Sequence, residues 1–396
     1  MNKPSQYLRT IRIAYVLSFL NECWLPIAVW FFFYLRFLTI QEIAAITAIR
    51  VIVTTCFEIP TGAFADIVGR KTSVFLSFSL FALVMIGMTL TQSFWIFCLL
   101  EIFRELANSL YSGSLEALAY DTLKEHREES AFDHVISRME TVVWIGLFIA
   151  SITGGFLYFI HPNLPYIIQA GIYVVAAGLT LLLVEPRIDT KKYHLNQFLK
   201  QNIAGFLEIT KSKKVAWISI ILITVGSGYF IAAQILGISQ ARQYGMDSRG
   251  VGILFALGYI LSALASYGFP KLKSLFGPKI LFIIATGCLL LSFLAAKYVG
   301  IALGSLLIIL RISSSTTFRN IRSILLNRYI ESKNRATAIS TVVLLSQLPY
   351  AFLAWTIGGY IDRASPNNFA WYLGMTLSIF LLLELILLPR FLNLKK

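Results

Sequence analysis

Charge is what this sequence has least of. Asp, Glu, Lys and Arg make up 14% of the 396 residues, where soluble domains carry about 25%. That is too little ionic surface to clothe a water-soluble globule. Histidine and cysteine are scarce as well, with four of each. His126, His134, His161 and His194 fall in loops without metal-ligand spacing, and Cys23, Cys56, Cys98 and Cys288 stand singly in four apolar stretches with no CxxC pair. Such thiols read as small hydrophobes, so neither a disulfide framework nor a metal site is expected. No glycine-rich phosphate loop is present, and no apolar stretch sets a nucleophile beside a histidine. An enzyme, a cofactor and ATP as an energy source are therefore not expected.

Apolar length is what the sequence does have. Hydrophobic residues account for 57% of the chain, and a spanning helix needs roughly 20 in succession. Twelve such helices are expected, at about 11–35, 42–62, 72–91, 94–118, 140–160, 165–184, 215–237, 249–269, 279–299, 300–318, 336–358 and 369–389. The fold class is thus an all-α membrane protein with twelve transmembrane helices. A soluble enzyme, a nucleic-acid-binding domain and a disordered chain are excluded. The net charge of +14 is a topology signal: most of the 34 Lys and Arg lie at the termini and in even-numbered loops, whereas odd-numbered loops hold Arg36, Arg242, Arg249, Lys297 and Arg363. By the positive-inside rule both termini are cytoplasmic. Met1 to Thr10 has no cleavable signal, so the first apolar run is expected to stay as a helix.

The longest polar interruption, 185–214, carries seven Lys and Arg and divides the chain into a six-helix bundle over 1–184 and another over 215–396. Within it Leu195, Phe198, Leu199, Ile203, Phe206 and Leu207 have helical apolar spacing, with Lys200, Lys211, Lys213 and Lys214 on or beside the other face. That pattern predicts an amphipathic helix at the membrane surface, against the plainer reading of a solvated linker. The two bundles carry traces of one repeat. GLFIASITGG at 146–155 and YAFLAWTIGG at 350–359 share a Phe, an Ala and a terminal Gly pair, and the intramembrane Arg104 finds a counterpart in Arg311. Two pseudo-symmetric halves follow, with a substrate site expected near the bilayer midplane.

The loop between the second and third helices reads Gly62-Ala-Phe-Ala-Asp66-Ile-Val-Gly69-Arg70-Lys71. Gly62 and Gly69 permit close approach and a tight turn, and Asp66 and Arg70 can pair at a helix end. This segment resembles the GxxxDxxGRK loop of the major facilitator superfamily. The resemblance implies a conformational latch in which Gly62, Asp66, Gly69 and Arg70 engage an acid at the inner end of the fourth helix, here Asp121. The second-half counterpart keeps Gly277 and Lys279 but lacks the acid, and Lys333-Asn-Arg335-Ala-Thr-Ala-Ile-Ser340 looks like the RatalS run that leads into the eleventh helix. Drug exporters of the family carry RxxQG in the fourth helix; Arg104 is kept, with Ala107 and Asn108 in place of Gln and Gly. Antiporters carry GxxxGPxxGG in the fifth; Gly146, Gly154 and Gly155 match, with Ala150 and Ser151 in place of Gly-Pro.

Ionisable groups inside spans cost roughly 3 kcal/mol each at the bilayer centre, so they need a reason. In the fourth helix Glu101, Arg104, Glu105, Asn108, Ser112 and Glu116 recur at three- and four-residue intervals. Glu101 and Arg104 can pair along the helix, leaving Glu105 without a local partner. A cavity-facing stripe and an ion-pair ladder between packed helices are the two readings, with the stripe preferred. Glu22 lies mid-span in the first helix, between Ser18 and Pro26. A carboxyl there without a fixed cation is suited to load and release a proton. An approach of Glu22 to Arg104 would resemble the acid and arginine pair of proton-coupled exporters, with Glu105 or Glu101 as a second acid. Glu58, before Pro60, is either another proton or gating acid or a structural tie to Arg70. Arg50 and Glu384 are expected to snorkel.

The second half offers Arg311 ahead of a Ser and Thr run, Gly226-Ser227-Gly228 as a break in the seventh helix, and Gln234 and Gln347. Close helix packing is the better reading of the Gly and Ser positions, and Gln234, Arg311 and Gln347 join Glu22, Arg104 and Asn108 as candidates for the substrate cavity. Phe31, Phe32 and Phe33 form either an interface belt or the wall of a pocket. These features point to a secondary active transporter in a bacterial plasma membrane, expected to be a monomer, that exchanges protons for a small lipophilic or cationic substrate by alternating access, as a multidrug exporter does. Import of a nutrient by symport or uniport is the alternative, and a transport-inactive receptor or scaffold the rival of another class. The expected partners are the substrate, protons and the lipid bilayer, with no nucleic acid.

Overall fold

The structure, a computed structural model, describes residues 3–186, 206–330 and 335–392, apart from the side chains of 3–6, 58, 59, 63, 336 and 388–392. The amphipathic helix expected within the linker lies outside the described residues except for Phe206 and Leu207, which are exposed. Every regular element among the described residues is helical: α1 (Lys3–Glu22), α2 (Trp30–Tyr34), α3 (Ile40–Val68), α4 (Arg70–Leu90), α5 (Phe94–Tyr111), α6 (Ser114–Glu125), α7 (Phe132–Ile160), α8 (Leu164–Thr180), α9 (Lys213–Ile231), α10 (Gly237–Gln243), α11 (Ser248–Leu294), α12 (Ile301–Tyr329), α13 (Arg335–Arg363) and α14 (Pro366–Leu392). Nine helical stretches are long and apolar enough to cross a membrane among the described residues. Of the other expected spans, one shares the 47-residue α11 with its neighbour, one is α5 with three charges in its middle, and one is α8 at 17 residues.

Among the described residues Gly69, Gly113, Gly245 and Gly277 have positive φ, and two of them mark corresponding turns in the two halves. Gly69 joins α3 to α4 at φ +104°, and Gly277 divides α11 at φ +73°. Both have backbone angles that only glycine adopts freely. They stand 208 residues apart, close to the offsets of the Gly pairs and the two arginines, so the internal repeat extends to the geometry of its loops.

The contacts divide the chain into two compact units. One comprises Met1–Leu38, Ile49–Leu195 and Ser248–Ala256, and the other Thr39–Ala48, Asn196–Asp247 and Leu257–Lys396. Glycines set the spacing inside each. In the first unit a Cβ on Gly154 would collide with Leu25 O, one on Gly146 would press on Phe19 O and Cys23 N, and one on Gly155 would meet Ser248 O. In the second, a Cβ on Gly358 would strike Ile40 O and the backbone of Gln41. The repeated Gly pair therefore does the same physical work in both copies, letting helix backbones touch.

Two expectations about helix continuity need correction. The first span is not one helix. It stops at Glu22, passes through an extended Trp24, and resumes as a 3-10 turn at Leu25–Ala28 before α2. Pro26 explains the stop, because it has no N–H to donate and disfavours helical geometry in the residue before it. The fourth span breaks at Ser112 and Gly113, the latter at φ +72°, so the stripe ends before Glu116, which is exposed. Gly226-Ser227-Gly228 follows the close-packing reading and does not interrupt its helix. Gly226 packs on Ser346 and Gly228 on Leu289 and Leu377, while the irregularity comes later, as a π segment over Ala232–Leu236. Helix α3, meanwhile, continues through Pro60.

Candidate functional site

The fourth-span charges form a closed cluster. Arg104 Nε donates to Glu101 Oε2 at 2.7 Å and its NH2 to Glu105 Oε1 at 2.6 Å. Arg50 does not snorkel. It reaches across from α3 to Glu105 Oε1 at 3.1 Å and Glu101 Oε2 at 3.4 Å. Nor does Glu105 lack a partner, since Thr54 Oγ1 donates to its other oxygen at 2.8 Å and Asn108 Nδ2 lies at 3.5 Å. Tyr34 OH donates to Glu101 Oε1 at 2.6 Å. Two acids and two guanidinium groups are thus paired and hydrogen-bonded where all but Arg50 are buried. This is the condition under which buried charges are tolerated, and it favours the ion-pair ladder over the open stripe. Phe31 and Phe33 are fully buried and not a belt; the ring of Phe33 meets those of Phe97 and Tyr166 in a wall beside Tyr34.

Glu22 is left out of this cluster. Among the described residues it has no ion-pair partner within 4.0 Å, and Asn21 Nδ2 donates to its Oε1 at 3.0 Å. The expected approach to Arg104 is replaced by the pairing of Arg104 with its own helix's acids. The break beyond Glu22 is built, not frayed. The freed amide of Leu25 donates to Gln169 Oε1 at 2.9 Å, the ring of Trp24 lies 5.3 Å from the Arg104 guanidinium, and Gly146 and Gly154 make room for the irregular backbone. Without Gln169 the buried amide would be left unsatisfied at a cost of about 1–3 kcal/mol. The sequence analysis overlooked Gln169, although a lone Gln in an apolar span is itself a signal. Asn21 Oδ1 is buried at the break without a partner. The side chain of Glu58 lies outside what the structure describes.

At the α3–α4 loop the structure brings Asp66, Arg70 and Asp121 together. Arg70 Nε stands 3.2 Å from Asp121 Oδ2, and its NH2 stands 3.9 Å from Asp66 Oδ1. A Cβ on Gly62 would meet nothing, so close approach is not what that position provides. An acid not anticipated here, Glu185, caps α4: its two oxygens accept from the Arg70 and Lys71 amides, each at 2.7 Å, where a carboxylate complements the helix N-terminus.

In the second unit Arg311 is 3% exposed. Its NH1 donates to Gln240 Oε1 at 2.9 Å and lies 3.4 Å from Ser292 Oγ, and its guanidinium sits 5.2 Å from the centre of the Phe293 ring. Its NH2 is buried and has no hydrogen-bond partner among the described residues. Gln240 lies just past the π segment, which sets it on the face that meets Arg311. Gln234 lies within that segment, half-buried, as is Gln347 on α13; the structure does not bring either to Arg311. Glu384 does not snorkel but is buried, with Thr224 Oγ1 donating to it at 2.6 Å.

Comparison with known proteins agrees with this architecture. A curated relative, the uncharacterized MFS-type transporter YxaM of Bacillus subtilis (strain 168), is 27% identical over 229 residues. That match covers 55% of this chain and 54% of the relative, so the chain spans about half the length of the protein it matches. Among solved structures the nucleoside transporter NupG superposes with a TM-score of 0.80 over 100% of both chains at 14% identity. A POT family transporter in complex with 5-aminolevulinic acid gives 0.72 over 98% of this chain and 97% of its own, also at 14% identity. These likenesses speak to the fold. The profile described as Major Facilitator Superfamily matches residues 12–354, and with nearly the whole chain so matched, this chain belongs to that superfamily.

Proposed function

We propose that the chain is a proton-coupled secondary transporter of a small organic solute, working in a bacterial plasma membrane with both termini cytoplasmic. Glu22 carries the proton. The observation that supports this is the position of its carboxyl: mid-span, at the C-terminal end of α1, beside a break in the helix, and without an ion-pair partner among the described residues. Negative charge is unfavourable at a helix C-terminus, so the group needs a proton or a passing cation. Glu101 and Glu105, each held by two guanidinium groups, fit less well as carriers; their role in this reading is to hold α3 against α5. Asp66, Arg70 and Asp121 serve as the latch.

We place the direction as export in exchange for protons, on the strength of Arg104 and the retained glycines of α7. Import is the second reading, favoured by Ala150 and Ser151 where exporters carry Gly-Pro. The test is proton flux in liposomes holding the purified chain under an imposed pH gradient, with lipophilic cations, organic acids, nucleosides, sugars and amino acids added singly. One class should collapse the gradient with wild type and fail to do so with Glu22→Gln. Full pH-driven transport by Glu22→Gln would overturn the assignment, and the sign of the flux decides between export and import.

A further inference from the structure

The second unit holds a buried cation with no counter-charge among the described residues. Between Ser248 and Ile361 the sequence contains a single acid, Glu331, which lies outside the described residues. The acid within the described second-half spans, Glu384, bonds to Thr224 on α9. No ion pair among the described residues includes Arg311. Its neighbours are neutral: Gln240, Ser292 and the face of Phe293. A lone guanidinium in a membrane span costs several kcal/mol unless an anion meets it, and the NH2 group that would meet it is buried and vacant of partners.

A second cation continues the pattern along α12. Arg322 lies eleven residues, three turns and about 16 Å, beyond Arg311 on the same helical face. Its Nε is also buried without a partner, and it rests against the Phe318 ring at 5.8 Å. Ser314 and Phe318 lie between the two arginines on that face. Each of these separate guanidinium groups rests beside a phenylalanine ring and has a donor without a partner, which suits it to donate to an oxyanion.

We propose that Arg311 is a binding site for the anionic group of the transported solute, a carboxylate, sulfonate or phosphonate on a small organic body, and that Arg322 marks its path along α12. This rests on the transport reading above and names its substrate class. It departs from the expectation of a cationic substrate because the acids behind that expectation, Glu101 and Glu105, are neutralised by Arg50 and Arg104. The partnerless NH2 of Arg311 is the donor left for the anion, since NH1 is taken by Gln240 and Ser292.

The test is thermal unfolding of the full chain in detergent, with benzoate, naphthalene-2-sulfonate and methylphosphonate as anionic probes. Benzamide and benzylammonium serve as neutral and cationic counterparts. A ligand that binds only the folded state raises the melting temperature by mass action. At least one anion should raise it by about 2 °C or more, the counterparts should not, Arg311→Gln should abolish the shift, and Arg311→Lys should keep part of it. No shift with any anion, an equal shift with benzamide, or a shift that survives Arg311→Gln would overturn the proposal. So would a shift produced by phosphatidylglycerol alone, which would make the anion a lipid headgroup. Without ligand, Arg311→Met should raise the melting temperature, since it removes an unmet charge; a fall of about 2 °C or more would mean a structural partnership instead. Loss of proton flux with the anion shift intact removes the transport reading and keeps this site, and the converse result does the reverse.

Discussion

Arg104 and Arg311 stand 207 residues apart, near the 204 that separates the two Gly pairs, yet their surroundings have opposite chemistry. Arg104 is held by Glu101 and Glu105, shares both with Arg50, and faces Trp24. Arg311 has an amide, a hydroxyl and a ring. In the first copy of the repeat the buried cation serves as a strut, and in the second it has no opposite charge among the described residues. A duplicated fold can thus preserve a residue while exchanging its role, because the role depends on acids supplied by other helices.

The largest effect that would sharpen this contrast is expected at Arg104. Arg104→Met leaves two buried carboxylates with Arg50 alone, and should destabilise the chain by about 3–5 kcal/mol, read as a lowered unfolding midpoint. A loss no greater than that of Arg311→Met would erase the distinction. Next, Gly69→Ala and Gly277→Ala should each cost about 1–3 kcal/mol, because both force a side chain into backbone angles reserved for glycine. Gly69→Ala should be the worse, with the Glu185 carboxyl 3.3 Å from the new methyl. A double-mutant cycle on Arg50→Gln and Glu105→Gln should return a coupling of about 1 kcal/mol or more, measured by denaturation, whereas a cycle on Glu22→Gln and Arg104→Gln should return close to none. The smallest effect is expected from Asp121→Asn, about 0.5 kcal/mol, since the Arg70 pair is partly exposed and screened.

The spans and the glycine loop were legible because they are local. Apolar length, a GxxxDxxGRK spacing and a Gly pair are each visible within a few residues. Which charges pair was not legible, because Arg50 and Glu105 meet from different helices 55 residues apart. The same reason hid Gln169, which answers an amide 144 residues away, and Gln240, whose aim at Arg311 depends on helix winding. Pro26 did announce the break after Glu22; reading the whole apolar run as one helix overlooked it.

The π segment at Ala232–Leu236 amounts to one residue too many for a helix of 3.6 per turn. Removing a single residue there would turn the segment into ordinary α-helix and leave Gln240 on the face that meets Arg311. A substitution that rewinds the segment without shortening the chain would instead rotate everything beyond it by about 100° and swing Gln240 off Arg311. The neighbourhood of Arg311 is therefore tolerant of a deletion at this point and sensitive to a change of winding, the opposite of what an ordinary helix would show.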